Sequence, residues 1–446
     1  MTISRSRRSI RSLASIAPAP PRREARRPTV GLVLAGGGAR GAYEAGVLRY
    51  LCEELPRTTG VSPWFDVVCG TSVGALNACF VAGTADVLDR SSALLAERWM
   101  DMRADHLLSI RPLELLRFAW NLVGGAPPPA QEAAVEEAIA RQGPVARRGG
   151  LIDTRALERF VLESVPWSRI GRNIEEGVLQ ALSLSATHVA SGKTVVFVDT
   201  RGELPSWSRD PHVQAQKTRI TPWHALASAA IPLLFPAMPI DGAYYVDGGL
   251  RQNTPLSPAM RLGADRVLVV SLRHQPASLA EELHDEALGA KREEALPSPF
   301  FLIGKTLNAL MIDRIDYDLD RLRRINALIR AGTDAFGPTF LTEINARVAG
   351  VSGAALKQAK ELLVRPSQDV GEIASSYAKS SQFISRATGL TGRALRRLSE
   401  AEGYDEADLL SYLLFDGGYS ERLIELGMSD ARARRDELVD FFTAES

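Results

Sequence analysis

A serine in a glycine-flanked turn is the strongest chemical signal in the sequence. Gly70-Thr71-Ser72-Val73-Gly74 fits the G-x-S-x-G pattern of a nucleophile elbow. Such a serine occupies a strained turn between a strand and a helix, so the positions two before and two after it must lack side chains. Apolar residues precede the motif as far as Cys69, and a helical pattern begins by Ala75. The spacing predicts a nucleophilic Ser72, and an inert serine in a glycine turn is the alternative.

A glycine-rich loop, Gly36-Gly37-Gly38-Ala39-Arg40-Gly41, follows the first predicted strand. Its spacing matches a dinucleotide-binding fingerprint, but that fold requires an acid at the end of the second strand. Asp66 lies at the start of that strand instead, and no Gly-Lys-Ser/Thr follows for a phosphate loop. The consecutive glycine N–H groups predict an oxyanion hole beside the serine. Arg40 is expected to steady this loop or meet a lipid phosphate, with a structural salt bridge as the alternative.

A serine nucleophile requires a base. Asp247-Gly248-Gly249 follows a strand-like run that ends at Val246, which places a carboxylate at a strand end beside a tight turn. Asp199 also closes an apolar run and is the main rival. Asp66 and Asp265 precede their strands and are less suited to the role. Asp247 is therefore the preferred candidate for the base.

Histidines offer a different mechanism, because a Ser-Asp-His hydrolase has its triad in that chain order. His274 follows a predicted strand and lies after both Ser72 and Asp247 in the chain. His188 follows another predicted strand, and the other four histidines lie in polar or helical segments. A histidine-dependent triad stays open as a second mechanism.

The elements that position these residues have the order of a parallel α/β sheet. Residues 29–35 have the pattern of a buried strand, and the helix after the glycine loop is expected to end at Pro56. A second strand from Phe65 to Cys69 leads through the serine into another helix. Further strands are predicted at Leu179–Ser185, Thr194–Asp199, Ala243–Val246 and Arg266–Leu272.

The composition is that of a globular protein of two or three units. The chain has 446 residues, 45% of them hydrophobic and 24% charged, and a formal net charge of zero. Because no net field favours polyanions, nucleic acid is not expected as a partner. No apolar run is long enough for a transmembrane helix. Three cysteines without a C-x-x-C pair predict buried free thiols and no metal site.

Three regions are expected along the chain. Residues 1–28 hold eight arginines and one acid, which predicts a disordered basic tail. Residues 29–275 form the predicted catalytic domain, and a helical insertion at about 85–150 either covers the site as a lid or is a surface excursion. Residues 276–446 have a mainly helical pattern, in which Leu362–Pro366 is a candidate strand that returns to the sheet.

Three blocks of the sequence resemble the patatin-like phospholipase family. Gly36 to Leu48 is similar to its oxyanion loop and first helix, and Gly70 to Gly74 is similar to its nucleophile elbow. Asp247-Gly248-Gly249, with Asn253 and Pro255 shortly after, is similar to its catalytic aspartate motif. The preceding segment, residues 227–236, is also family-like. The resemblance covers about residues 29–275 and does not explain the tail or the C-terminal helices.

This resemblance implies a fold and a mechanism. The implied fold is a three-layer α/β/α sandwich with a mostly parallel sheet, here followed by a helical C-terminal region. The implied catalytic group is a Ser-Asp dyad in which Asp247 takes the proton from Ser72, without histidine, metal or organic cofactor. The implied reaction is hydrolysis of carboxylic ester bonds of lipids through an acyl-enzyme.

Alternatives to hydrolysis follow from the same residues. Acyl transfer to an alcohol or a lysolipid uses the same dyad, and a catalytically silent scaffold that binds lipid or protein is less favoured. The expected partners are lipid substrates at a membrane surface, whereas protein partners are not specified. A run at residues 6–10 resembles a twin-arginine export signal, but the apolar stretch after it is short. The expected location is therefore the cytoplasm, with peripheral contact to a membrane.

Overall fold

The fold is that of a computed structural model, which describes residues 27–103, 107, 109–110, 150, 152–205, 207, 210–275, 315–352, 355–387, 392–393, 395–396 and 408–443. Most of the predicted basic tail and most of the predicted helical insertion lie outside the described residues. The expectations for those two segments therefore stay predictions.

The strands and helices have the following bounds. The strands are β1 Val30–Leu34, β2 Val67–Thr71, β3 Ser109–Ile110, β4 Ile152–Asp153, β5 Ala181–His188, β6 Thr194–Thr200, β7 Val213–Lys217, β8 Met238–Ile240, β9 Ala243–Asp247, β10 Arg266–Val270 and β11 Lys360–Val364. The helices are α1 Ala42–Arg49, α2 Leu55–Thr59, α3 Val73–Gly83, α4 Leu88–Met100, α5 Arg155–Ser164, α6 Trp167–Glu175, α7 Pro222–Ser228, α8 Leu256–Arg261, α9 Ile315–Phe336, α10 Phe340–Ser352, α11 Val370–Ala378, α12 Ser381–Arg386, α13 Asp408–Leu413, α14 Gly417–Ala433 and α15 Arg435–Thr443.

One large sheet organises the described residues. Its order is β11-β10-β1-β2-β5-β6-β7, with β9 paired to β5 and β8 paired to β9. The five strands from β11 to β5 are mutually parallel, and β6 and β7 are parallel to each other. The pairs β5–β6, β5–β9 and β8–β9 are antiparallel. The predicted mostly parallel sheet is confirmed.

Helices cover both faces of this sheet because the central strands are apolar on both sides. On one face, Val33, Val67 and Val269 belong to a core that includes residues of α8 and α9. On the other face, Leu32 and Val68 belong to a larger core that includes residues of α1, α3, α4 and α14. This arrangement is the predicted three-layer α/β/α sandwich.

The first helical segment differs from its prediction, because it does not end at Pro56. A π-helical turn over Tyr50–Glu54 follows α1, and α2 then continues to Thr59. Pro56 lies at the start of α2, directly after this π turn, and has no N–H to donate to the preceding turn. The wider π turn accommodates the proline, and Gly60 ends the segment in a left-handed conformation.

Four strands were not expected from the sequence. Strands β3 and β4 have two residues each and form a separate antiparallel pair. In β7 the side chains are half-buried or exposed, since the strand lies at the edge of the sheet and is rich in Gln and Lys. In β8 only three residues pair with β9, which is too short a run to show a period. The strands that the sequence predicts are present, with ends displaced by a few residues.

The C-terminal region contributes to the same sheet. The candidate late strand is present as β11, which pairs in parallel with β10. Helix α14 packs closely against α1, because each helix has a glycine at the crossing. A Cβ on Gly46 would lie 2.2 Å from the Ile424 carbonyl oxygen, and one on Gly427 would lie 2.3 Å from the Tyr43 carbonyl oxygen. The sheet thus extends past residue 275, and the domain limit there stays a prediction.

None of the helices in the described parts of the chain is both long and apolar enough to cross a membrane.

The contact between α14 and α1 generates a stability prediction. In Gly427→Ala the new methyl group would overlap the Tyr43 carbonyl oxygen, so α14 must shift. We expect a loss of about 1–3 kcal/mol in unfolding free energy, measured by thermal and denaturant unfolding. Gly202→Ala is the matched control, because a Cβ there meets nothing within 4 Å. Equal stability of the two variants would contradict the close packing.

Candidate active site

Ser72 occupies a strained turn between β2 and α3. Its backbone angles are φ 56° and ψ −126°, a conformation that residues with side chains rarely adopt. The flanking glycines permit this turn, since a Cβ on Gly70 would lie 2.3 Å from the Gly74 carbonyl oxygen. A Cβ on Gly74 would lie 2.4 Å from the Leu34 carbonyl oxygen in β1. The strand–serine–helix arrangement thus has the geometry that the motif predicts, and the N-terminus of α3 points at the serine.

Sheet register brings Asp247 to this serine. Strand β5 pairs with β2 as far as Thr71, opposite Ser185, and its next residue Ala186 pairs with Asp247 in β9. Strands β2 and β9 therefore lie end to end along one edge of β5. The Ser72 hydroxyl donates a hydrogen bond of 2.5 Å to Asp247 Oδ2, and both side chains are buried.

Asp247 is fully buried, and hydrogen bonds hold both its side chain and its backbone in place. The Gly249 N–H donates to Oδ1 at 2.7 Å. The backbone is also tied, because the Thr187 hydroxyl donates to the Asp247 carbonyl oxygen at 2.9 Å and the Asp247 N–H donates to the Ala230 carbonyl oxygen at 2.9 Å. Burial raises the pKa of Asp247 to about 7, although the hydrogen bonds from Ser72 and Gly249 act in the opposite direction. This carboxyl group can exchange a proton near neutral pH.

Ser228 is a structural partner of the site that the sequence motifs did not single out. The Ser72 N–H donates to Ser228 Oγ at 3.0 Å, and the Ser228 hydroxyl donates to the Ser185 carbonyl oxygen at 2.6 Å. Ser228 thus links the turn at the serine to β5. It lies in the family-like segment 227–236, which is the sequence signal that marks it.

The glycine loop lies directly beside the serine. A Cβ on Gly36 would lie 3.0 Å from Ser72 Cβ. The Gly36 N–H donates to the Asn253 carbonyl oxygen at 3.0 Å, and the Arg40 N–H donates to the Gly37 carbonyl oxygen at 3.2 Å, so these two N–H groups of the loop are already bonded. Gly38 has φ 58°, and a Cβ there would lie 2.3 Å from the Tyr412 carbonyl oxygen. Both its conformation and its packing therefore require glycine.

Arg40 is directed toward α13. Its Nε donates to Ser411 Oγ at 2.8 Å, and its guanidinium lies 4.2 Å from the centre of the Tyr412 ring. Gly41 closes the loop, where its carbonyl oxygen accepts from Asn77 Nδ2 at 3.0 Å. These contacts correspond to the loop-steadying role considered for Arg40.

The alternative candidates for the base, Asp199, His188 and His274, have other hydrogen-bond partners. Asp199 pairs with Leu182, four residues before Ala186 on β5, and its Oδ2 accepts from the Ile220 N–H at 3.0 Å. His188 Nδ1 shares a hydrogen bond of 2.7 Å with Ser191 Oγ. His274 Nδ1 donates to the Pro366 carbonyl oxygen at 3.0 Å. None of these hydrogen bonds involves Ser72.

The cysteines are buried and free, as predicted for Cys52, Cys69 and Cys79. Burial raises the pKa of each thiol, to about 12 for Cys69, so these groups stay protonated. In the part of the chain that the structure describes, no group of three or more His, Cys, Asp or Glu residues is arranged to hold a metal ion.

Several solved structures are similar to this chain at low sequence identity. The VipD protein of Legionella pneumophila is 14% identical, with 93% of this chain and 75% of that chain covered and a TM-score of 0.30. Human group IVD cytosolic phospholipase A2, solved with methyl gamma-linolenyl fluorophosphonate, is also 14% identical, with 93% and 58% covered and a TM-score of 0.35. ExoU of Pseudomonas aeruginosa, solved in complex with SpcU, is 17% identical, with 94% and 73% covered and a TM-score of 0.23.

A family model identifies the chain more directly. The model for the patatin-like phospholipases matches residues 32–260, which is more than half of the chain. This match includes the glycine loop, the turn at Ser72 and the Asp247 motif. The chain therefore belongs to the patatin-like phospholipase family.

Proposed function

We propose that this protein hydrolyses carboxylic ester bonds of lipids through a Ser72–Asp247 dyad and an acyl-enzyme. Family membership supports lipid hydrolase activity. The observation that carries the finer proposal is the 2.5 Å hydrogen bond from the Ser72 hydroxyl to Asp247 Oδ2. A nucleophile and its base must lie within this distance for proton transfer. Contact with a membrane surface is part of the proposal, because lipid substrates reside there.

In the first half-reaction Asp247 accepts the Ser72 hydroxyl proton while Ser72 Oγ attacks the acyl carbonyl carbon. The tetrahedral intermediate then collapses, and the leaving alcohol oxygen takes the proton back from Asp247. Burial suits Asp247 to both steps, because its pKa of about 7 makes the carboxylate a better base and the acid a usable donor near neutral pH. The products are an acyl-Ser72 ester and a free alcohol.

The developing negative charge on the carbonyl oxygen requires donors that are already in place. We assign this role to the N–H groups of Gly37 and Gly38. The loop that carries them is held rigid by Asn253 on one side and by the Arg40 contacts on the other. The N-terminus of α3 adds a favourable dipole at the same point.

Substitution of the dyad tests the proposal. We expect Ser72→Ala to lose about 10³-fold or more of the hydrolysis of phospholipids, lysophospholipids and nitrophenyl esters, because the nucleophile is removed. Asp247→Asn should lose roughly 10²–10⁴-fold, since the amide cannot accept the proton. Asp199→Asn is the matched control, because Asp199 is a buried strand-end aspartate that contacts Ile220 instead.

Melting curves establish that each variant is folded. If Asp199→Asn abolishes turnover in a folded protein and Asp247→Asn does not, the base has been wrongly assigned. If wild type hydrolyses none of these esters, the proposed activity is wrong.

The pKa of Asp247 predicts the pH dependence. The base acts as a carboxylate, so kcat/KM should fall about tenfold per pH unit below pH 7 and level off above it. The measurement is the initial rate on a soluble ester between about pH 5 and pH 9, with protein stability checked across the range. An acid limb near pH 4, the ordinary range of an exposed aspartate, would contradict a buried base.

Histidine substitution separates the dyad from a triad. We expect His188→Asn and His274→Asn to keep acylation rates within a few-fold of wild type, because both side chains bond to other groups. In a triad enzyme, losing the histidine costs about 10³-fold or more. The measurement is single-turnover acylation by an activated ester. A loss of that size in either folded variant would favour the histidine mechanism.

A further inference from the structure

Helix α13 lies against the glycine loop, although it belongs to a part of the chain that the family match does not reach. The match ends at residue 260, whereas α13 is Asp408–Leu413. A Cβ on Gly38 would overlap the Tyr412 carbonyl oxygen, so the backbones of the loop and of α13 are in direct contact. A Cβ on Gly36 would lie 3.0 Å from Ser72 Cβ. The loop therefore contacts α13 at Gly38 and the nucleophile at Gly36.

Arg40 links this loop to the side chains of α13. Its Nε donates to Ser411 Oγ at 2.8 Å, and its guanidinium lies 4.2 Å from the centre of the Tyr412 ring. All three residues are buried, so these contacts replace part of the water around the cation. The Arg40 N–H also donates to the Gly37 carbonyl oxygen at 3.2 Å. The position of Arg40, and with it the turn over Gly37 and Gly38, is thus tied to α13.

Helix α13 is itself fixed by the core. The chain continues from α13 through Phe415, whose ring stacks on that of Trp99 in α4 at 6.2 Å, with an interplanar angle of 13°. The Gly417 N–H donates to the Met102 carbonyl oxygen at 2.8 Å, and a Cβ on Gly417 would overlap the Met100 carbonyl oxygen. Gly417 begins α14, which packs closely on α1. A shift of α13 would disturb these packed helices, so α13 is a fixed support for the loop.

We propose that Ser411 and Tyr412 are positioning residues for the oxyanion loop. This inference rests on the proposed function, because it takes the Gly37 and Gly38 N–H groups as the oxyanion donors. The two residues act through Arg40, which they hold by a hydrogen bond and by the face of a ring. The C-terminal region, which the resemblance to the family does not explain, thereby becomes part of the catalytic unit.

Preorganisation is the physical reason for such a support. Hydrogen bonds weaken steeply when the donor is misaligned, so donors on a loosely held loop stabilise a tetrahedral intermediate poorly. Loss of the Ser411 hydroxyl or of the Tyr412 ring should therefore raise the barrier for acylation. The hydrogen bond between Ser72 and Asp247 and the binding of substrate should change little, so kcat falls by a larger factor than KM changes.

A thionoester substrate tests this loop directly. It has sulfur in place of the carbonyl oxygen, and sulfur is a weak hydrogen-bond acceptor. Donors that stabilise an oxyanion therefore favour an ester over the matching thionoester, and misaligned donors lose part of this preference. A general loss of folded protein would lower both rates by the same factor. The ratio of the two kcat/KM values thus separates positioning of the loop from mere stability.

The experiment measures kcat and KM of the full-length protein for a nitrophenyl ester and for the thionoester of the same acid. For Ser411→Ala and Tyr412→Leu we expect kcat on the ester to fall about tenfold or more, with an ester-to-thionoester ratio about tenfold below wild type. Ser411→Thr and Tyr412→Phe keep the hydroxyl and the ring, so their ratios should stay near wild type. In an Arg40→Ala background, Ser411→Ala should cause no further loss, because its effect passes through Arg40.

Ser420→Ala is the matched control. Ser420 is a fully buried serine of α14, and its hydroxyl makes no hydrogen bond to the described residues. Its ratio should equal that of wild type. Melting curves identify the folded variants, and Ser411→Ala, which removes a single oxygen atom, carries the test where Tyr412→Leu is unstable.

An unchanged ratio in folded Ser411→Ala and Tyr412→Leu proteins would overturn the positioning role and leave the dyad intact. A ratio that changes equally in Ser420→Ala would also overturn it, because the effect would then be one of general packing. Wild-type protein that hydrolyses neither substrate would instead contradict the proposed function itself.

Discussion

The hydrogen bond between Ser72 Oγ and Asp247 Oδ2 joins two polar groups that are almost fully buried. A carboxyl group removed from water is unstable as an anion unless other groups replace its hydration. Here the serine hydroxyl and the Gly249 N–H supply part of that replacement. Because this replacement is incomplete, the pKa of Asp247 is raised to about 7. Burial of the pair is therefore also the feature that lets the Asp247 carboxyl group exchange a proton near neutral pH.

The sheet is the reason that such a pair can form. Strands β2 and β9 meet end to end on one edge of β5, so two residues far apart in sequence are placed by the register of a single strand. Each surrounding element then restrains one member of the pair. Ser228 holds the backbone of Ser72, Thr187 holds that of Asp247, and the glycine loop occupies the space above the serine. The positive φ of Ser72 is maintained by these neighbours and not by local preference.

The sequence predicted those parts of the site that depend on local chemistry. The turn at Ser72 and the glycine loop are each encoded by consecutive residues, because close backbone contacts require glycine at defined positions. The parallel core strands were visible as apolar runs. Asp247 and Asp199 were harder to distinguish, since both close strand-like runs. Only the strand register shows that Asp247 reaches the end of β2 whereas Asp199 lies opposite Leu182.

Other features depend on long-range contacts that no local pattern encodes. The direction of Arg40 is set by α13, some 370 residues later in the chain. The helix past Pro56 depends on a π turn, and β7 and β8 form by pairing with neighbours despite weak patterns of their own. The packing of α14 on α1 rests on two glycines whose role becomes visible only when the helices are brought together.

The most direct test of the account is the structure of the protein after reaction with a fluorophosphonate ester. The account predicts phosphorus bonded to Ser72 Oγ, one phosphoryl oxygen within about 3 Å of the Gly37 or Gly38 N–H, and Asp247 as the titratable side chain next to the adduct. Phosphorus on another residue, or a histidine within hydrogen-bond distance of Ser72 Oγ, would contradict it.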